Sequence, residues 1–201
     1  MPDGRRYQFR YNSYAELARV VLPTGGAIEY DYAQGLADVG ASGVFNVYSG
    51  TSITEKHVYR RVVERRVYPG GGTGAAYATR MTYSRPETLA ANAGYVIFDQ
   101  YDSSNILQAR SRHYFYGSPK ASFSQKPTHY PAYKDGREYK TEEFASNGTT
   151  VLRRETHTFA QRAAVGWWAG DAELASPNDP RLTETVTTLV DANQVSRQAF
   201  S

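Results

Sequence analysis

What most restricts the folding of this chain is a short-period alternation of aromatic and polar residues, broken at hairpin intervals by Gly, Pro, Asn and Asp. In Tyr7-Gln8-Phe9-Arg10-Tyr11 every second residue is aromatic. Side chains alternate across a strand, so this is the pattern of a half-buried one. Leu17 to Leu22 reads as a second strand. Pro23-Thr24-Gly25-Gly26 reads as a turn, since Pro fixes φ and Gly supplies positive φ. Ala27-Ile28-Glu29-Tyr30-Asp31-Tyr32 then alternates again. Tyr11 and Tyr32 are 21 residues apart, and each ends a strand that follows a Gly-containing turn. A period of about 20 residues is one hairpin with its turns, as in a repeat array.

The rhythm continues with interruptions. Residues 35 to 54 are rich in Gly, Ala and Ser and read as loop with one short strand, Val44-Phe45-Asn46-Val47-Tyr48. His57 to Tyr68 suits either a helical stripe or a strand. Its Val and Tyr content and the Gly-rich loop from Pro69 to Gly74 favour a hairpin with the alternating Tyr77, Thr79, Met81 and Tyr83. Tyr95 to Tyr101 and Leu107 to Phe115 flank Asp102-Ser103-Ser104-Asn105. Tyr139 to Ser146 and Thr149 to Phe159 flank Asn147-Gly148, the strongest short hairpin signal here, read as a type I′ turn. Thr183 to Val190 turns at Asp191-Ala192-Asn193 into Val195. Residues 117–134 and 161–182 lack the alternation and read as loop insertions, the second with a single helical turn at Asp171 to Ala175. The expected fold is all-β: one segment over residues 1–201, of antiparallel hairpin repeats in a curved, spiralling sheet.

Composition narrows the function. Seventeen Tyr against two Trp and eight Phe put a hydroxyl on most of the aromatic surface. This suits wide sheets and side chains with one wet end, so one sheet face is expected to be tyrosine-rich and wet. A net charge of +3, from 23 basic and 20 acidic residues, argues against a nucleic-acid partner. With no cysteine there is neither a disulfide framework nor a thiolate metal site. No stretch approaches the about 20 apolar residues that span a bilayer.

The motifs of catalysis are missing. His57, His113, His129 and His157 lie far apart, without ligand spacing, and His113 and His157 fall on strands as packed or edge residues. There is no Gly-x-Ser-x-Gly elbow. Glu142 and Glu143, neighbours on a strand, point to opposite faces. Gly70 to Gly74 lacks the Lys-Ser/Thr ending of a phosphate loop. A non-catalytic protein without cofactor or metal is expected. Trp167-Trp168, between Gly166 and Gly170, either offers a flat face to a sugar ring or covers a sheet edge.

The turns carry a signature. Tyr101-Asp102-Ser103-Ser104-Asn105-Ile106-Leu107 has the form Tyr-Asp, two variable residues, Gly, one variable residue and Leu or Val, with Asn105, which tolerates the left-handed conformation, in the glycine place. Tyr11-Asn12-Ser13-Tyr14-Ala15-Glu16-Leu17 follows it with Asn12 as the cap and with Ala15, which resists positive φ. Val190-Asp191-Ala192-Asn193-Gln194-Val195 is one residue shorter. In these motifs the chain resembles the Rhs/YD-repeat proteins. The resemblance implies a scaffold: hairpins stacked into a shell that encloses a toxin or effector domain, or a surface array in adhesion that binds carbohydrate through exposed aromatics. It also implies a bacterial secreted or cell-surface setting, with neighbouring repeats, an enclosed domain or a surface glycan as partners. The family's self-cleaving core is built around Asp-Pro-x-Gly. The one Asp-Pro here, Asp179-Pro180, is followed by Arg181-Leu182, so no protease activity is carried over.

Overall fold

A computed structural model describes residues 6–34, 44–49, 52–58, 60–74, 76–84, 87–88, 93–117, 130–163 and 179–200. Their strands are β1 (Gln8–Tyr11), β2 (Leu17–Val21), β3 (Ala27–Gln34), β4 (Val44–Ser49), β5 (Ser52–Val58), β6 (Arg60–Tyr68) and β7 (Thr79–Tyr83), followed by β8 (Glu87–Thr88), β9 (Ala93–Asp102), β10 (Leu107–Tyr116), β11 (Glu138–Phe144), β12 (Val151–Ala160), β13 (Arg181–Leu189) and β14 (Gln194–Ala199). Eleven of them hydrogen bond in the order β1-β2-β3-β6-β7-β9-β10-β11-β12-β13-β14. β8 joins β9 from the side, and β4 and β5 form a separate hairpin. The path starts at β1, ends at β14 and does not close. Among the described residues the helical content is one 3-10 turn at Ala132–Lys134. The expected all-β, antiparallel hairpin architecture is what forms.

The chain divides into two compact units. The first comprises Met1–Pro86, Ile97–Arg110 and Ser146–Gly148; the second comprises Glu87–Val96, Ser111–Ala145 and Thr149–Ser201. In the first unit the register builds two contrasting rows. On one face Arg19 lies opposite Glu29, Glu29 opposite Arg66, Arg66 opposite Arg80 and Arg80 opposite Tyr101. One residue along each strand, on the other face, Phe9, Val20, Ile28, Val67 and Thr79 form a second row.

The charged face is the better covered of the two. Arg19 is 8% exposed, and Ala27, Tyr68 and Asp99 on that face are buried, whereas Phe9 in the apolar row is 55% exposed. Long Arg and Tyr side chains lie flat over their cross-strand neighbours and pair their charges there, so the face covers itself. Val and Ile are too short to do this. The expected wet tyrosines are found only in part: Tyr7, Tyr11 and Tyr14 are exposed, whereas Tyr68 is 1% exposed and Tyr114, in the second unit, is also buried.

In the second unit Tyr114, Glu142 and Phe144 are the buried side chains among the described residues, and β14 is exposed throughout. Two further expectations change. Residues 35 to 54 hold more than one short strand, because Val44–Ser49 pairs with Ser52–Val58. Asn147-Gly148 is not a type I′ turn: Gly148 has φ +70°, but Asn147 is not among the residues with positive φ. The ladder ends at Phe144 opposite Val151, after a bulge, and Ala145 N–H donates to the Thr150 carbonyl, so the connection is longer than two residues. The proposed helical turn at Asp171 to Ala175, and most of both loop insertions, lie outside the described residues.

Candidate functional site

The two motif turns at Asn12 and Asp102 are built alike. Asn12 Oδ1 accepts the backbone N–H groups of Tyr14 (2.9 Å) and Glu16 (3.1 Å). Asp102 Oδ1 accepts those of Ser104 (2.9 Å) and Ile106 (3.0 Å). In each turn the fourth residue is left-handed, Ala15 at φ 59° and Asn105 at φ 62°, and its N–H returns to the carbonyl of the first. This is a type I turn followed by a left-handed residue, the common three-residue hairpin loop. Ala15 therefore takes the conformation it was expected to resist. Four hydrogen bonds hold it there: Asn12 Oδ1 accepts two backbone N–H groups, the Asn12 carbonyl accepts the Ala15 N–H, and the Asn12 N–H donates to the Glu16 carbonyl. Leu22-Pro23-Thr24-Gly25-Gly26 makes the same backbone pattern with Gly25 at φ 90°. Asp191 departs from it: its Oδ1 accepts only the adjacent Ala192 N–H, and Asn193 supplies the positive φ.

Tyrosine hydroxyls, carboxylates and cations recur as nodes on the strands. Glu29 accepts from the Tyr68 hydroxyl at 2.8 Å and pairs with Arg19 and Arg66. Asp99 takes a bidentate Arg110, both contacts at 2.7 Å, and the Tyr101 hydroxyl at 3.2 Å. Glu142 takes the Tyr114 hydroxyl at 2.6 Å, Arg154 Nε at 2.9 Å and Lys140 at 3.4 Å. Burial raises the carboxyls of Glu29 and Glu142, but the hydrogen bonds they accept prevail and hold both below the usual carboxylate value. Ring faces meet the remaining charge: Arg80 lies 4.5 Å over Tyr101, Arg112 5.1 Å over Tyr95, and Lys140 3.7 Å over Tyr114.

One group has the connectivity of a catalytic triad. Ser111 Oγ lies 2.9 Å from His113 Nε2, and His113 Nδ1 lies 2.7 Å from Glu138 Oε1. The tautomer that satisfies all three has Nδ1–H donating to Glu138 and Nε2 accepting from Ser111. Acyl transfer also needs donors converging on an oxyanion. Ser111 sits inside β10, between β9 and β11, where backbone N–H groups belong to the ladder. The chain Ser111–His113–Glu138 instead orients Glu138, which borders an open cleft. Among the described residues no group of three His, Asp or Glu side chains is arranged to hold a metal ion.

The structure thus brings Tyr101, Asp102 and Asn105 together at one turn, and Tyr11 and Asn12 at another. It places Gly148 against Arg110, whose Nη1 donates to its carbonyl at 3.0 Å. Trp167 and Trp168 lie outside the described residues. The nodes and the Ser111–His113–Glu138 chain escaped sequence reasoning. Ser111 and His113 are two apart on a strand and so share a face, but Glu138 joins them only through strand pairing. No protein-family model matches this chain, and no curated protein matches it.

Proposed function

We propose that the chain is a structural wall segment of a hairpin-repeat protein of the Rhs/YD type, non-catalytic, from a bacterial secreted or cell-surface protein. The observation that supports this most is the matched pair of turns at Asn12 and Asp102. Sequences that share only Tyr, Ser and Leu, at the first, third and last places of the motif, build the same hydrogen bonds. The outer strands support it as well. Each has a row of backbone N–H and C=O groups without a neighbour in the sheet, and every residue of β1 and β14 is exposed. In a longer chain these edges pair with adjacent repeats, and a wall of this kind encloses a toxin or effector domain.

The test is the size of the 201-residue protein across a concentration series, by light scattering after size-exclusion chromatography. Association that grows with concentration, and that Phe9→Lys and Val195→Lys weaken, is expected. A monomer at every concentration contradicts the proposal. So does covalent labelling of Ser111 by a fluorophosphonate, which would reveal an activated nucleophile.

A further inference from the structure

The second unit contains an open cleft of about 360 Å³, lined by Gly136, Arg137, Glu138, His157, Phe159 and Leu182. That is within the size range of small-ligand sites. Its apolar wall is a cross-strand pair, Phe159 opposite Leu182. The polar groups around that wall are each held from behind. Arg137 Nε donates to the Tyr133 carbonyl at 2.9 Å. Glu138 Oε1 is engaged by His113 Nδ1 at 2.7 Å and by the Thr141 hydroxyl, and Ser111 fixes His113 in turn. His157 is placed by Thr185 Oγ1 at 3.2 Å and Glu155 Oε1 at 3.5 Å. Side chains already fixed on strands lose little freedom when a ligand arrives.

Two hydrogen-bonding groups remain unspent. Glu138 Oε2 has no partner among the described residues, nor have the Arg137 Nη groups, so the cleft presents an acceptor beside donors. The Arg137 guanidinium lies 5.5 Å over the Phe159 ring, which joins the donors to the aromatic wall. We propose that this cleft binds a neutral saccharide, its hydroxyls bridging Glu138 and Arg137 and its C–H face against Phe159. A sugar ring has adjacent hydroxyls that both donate and accept, and an apolar face for the ring. An amine gains Glu138 but meets Arg137, and a carboxylate gains Arg137 but meets Glu138, so the mixed pair selects against both. This site is defined without Trp167 or Trp168 and does not depend on the scaffold reading.

The experiment is saturation-transfer NMR on the full chain with methyl β-galactoside, methyl α-mannoside and N-acetylglucosamine, and with acetate and methylamine as charged competitors. At least one sugar is expected to receive saturation, strongest on ring C–H protons. Glu138→Gln and Phe159→Leu are each expected to weaken it about tenfold, as loss of a charged hydrogen bond or of the aromatic wall does. Melting curves identify any variant that fails to fold, and Arg137→Met is then read in its place. Saturation of none of the three sugars overturns the proposal. So does equal saturation in folded variants, or binding of acetate or methylamine in preference to the sugars. Val195→Lys, which tests edge association, is expected to leave sugar binding unchanged, so failure of one proposal is distinguishable from failure of the other.

Discussion

The hydroxyl of Tyr114 on β10 donates a 2.6 Å hydrogen bond to Glu142 Oε2 on β11, and both side chains are buried. The first unit repeats the relationship with Tyr68 and Glu29. Removing only the hydroxyl leaves a carboxylate short of a donor at a site where water is excluded, and the loss exceeds that of an exposed hydrogen bond. Tyr114→Phe and Tyr68→Phe are each expected to lower unfolding free energy by about 1–3 kcal/mol in urea melts. A change within experimental error in both would mean that the nodes are not structural.

The same pairs set the pH dependence. Burial raises the carboxyls of Glu29, Glu138 and Glu142, and accepted hydrogen bonds outweigh it, leaving all three below their ordinary value of 4.5. Each therefore binds fewer protons folded than unfolded just below that value. Their stability is complete above it and is lost as pH falls through the folded values. The Tyr68 and Tyr114 hydroxyls shift the other way: burial, then the bonded Glu, raises them above 10.0. The folded state keeps these protons longer, so their contribution is lost as pH rises from 10.0. Urea midpoints are expected to fall on both sides, with Glu29→Gln and Glu142→Gln together flattening the acid limb. An acid limb unchanged in that double variant contradicts the assignment.

Ala15 and Asn105 occupy equivalent left-handed positions, so their substitutions act in opposite directions. Ala15→Gly removes a steric penalty at φ 59° and is expected to raise stability by about 0.5–1 kcal/mol. Asn105→Ala introduces that penalty at φ 62° and breaks the contact from Arg80 Nη2 to the Asn105 amide oxygen, with an expected loss of about 1–2 kcal/mol. Thermal melts measure both, and the same sign for the two contradicts turn equivalence.

Gly148 combines a φ of +70° with close approach. A Cβ there would meet Arg110 Nη1 and Leu107 Cδ2, each at 3.1 Å. Gly148→Ala is expected to cost about 1–3 kcal/mol and to disturb the bidentate Asp99–Arg110 pair. Gly148→Ala with unaltered stability would show that this connection is free to move.

Much of this fold is legible because strand alternation and turn chemistry are local. The pattern at Tyr7 to Tyr11 locates β1, and the Asp102 and Asn12 turns follow from side chains that cap their own backbones. The misreadings have non-local causes. Asn147-Gly148 has the local signal for a type I′ turn, but Arg110, 38 residues earlier, takes the Gly148 carbonyl, and a bulge ends the ladder early. The burial of Tyr68 follows from register: its hydroxyl reaches Glu29 across β3 and β6 and the Gly74 carbonyl, and the Arg19 guanidinium lies 5.4 Å over its ring. The cleft is hidden for the same reason, since Glu138, Phe159 and Leu182 come from three different strands.

The outer edges of this sheet are expected to recruit further strands. Amide hydrogen exchange in β1 and β14, measured in dilute and concentrated solution, tests it most directly. Exchange that is fast when dilute and slows in β1 or β14 as concentration rises, with β12 unchanged, is the expected result. Exchange in both outer strands that is independent of concentration would contradict it.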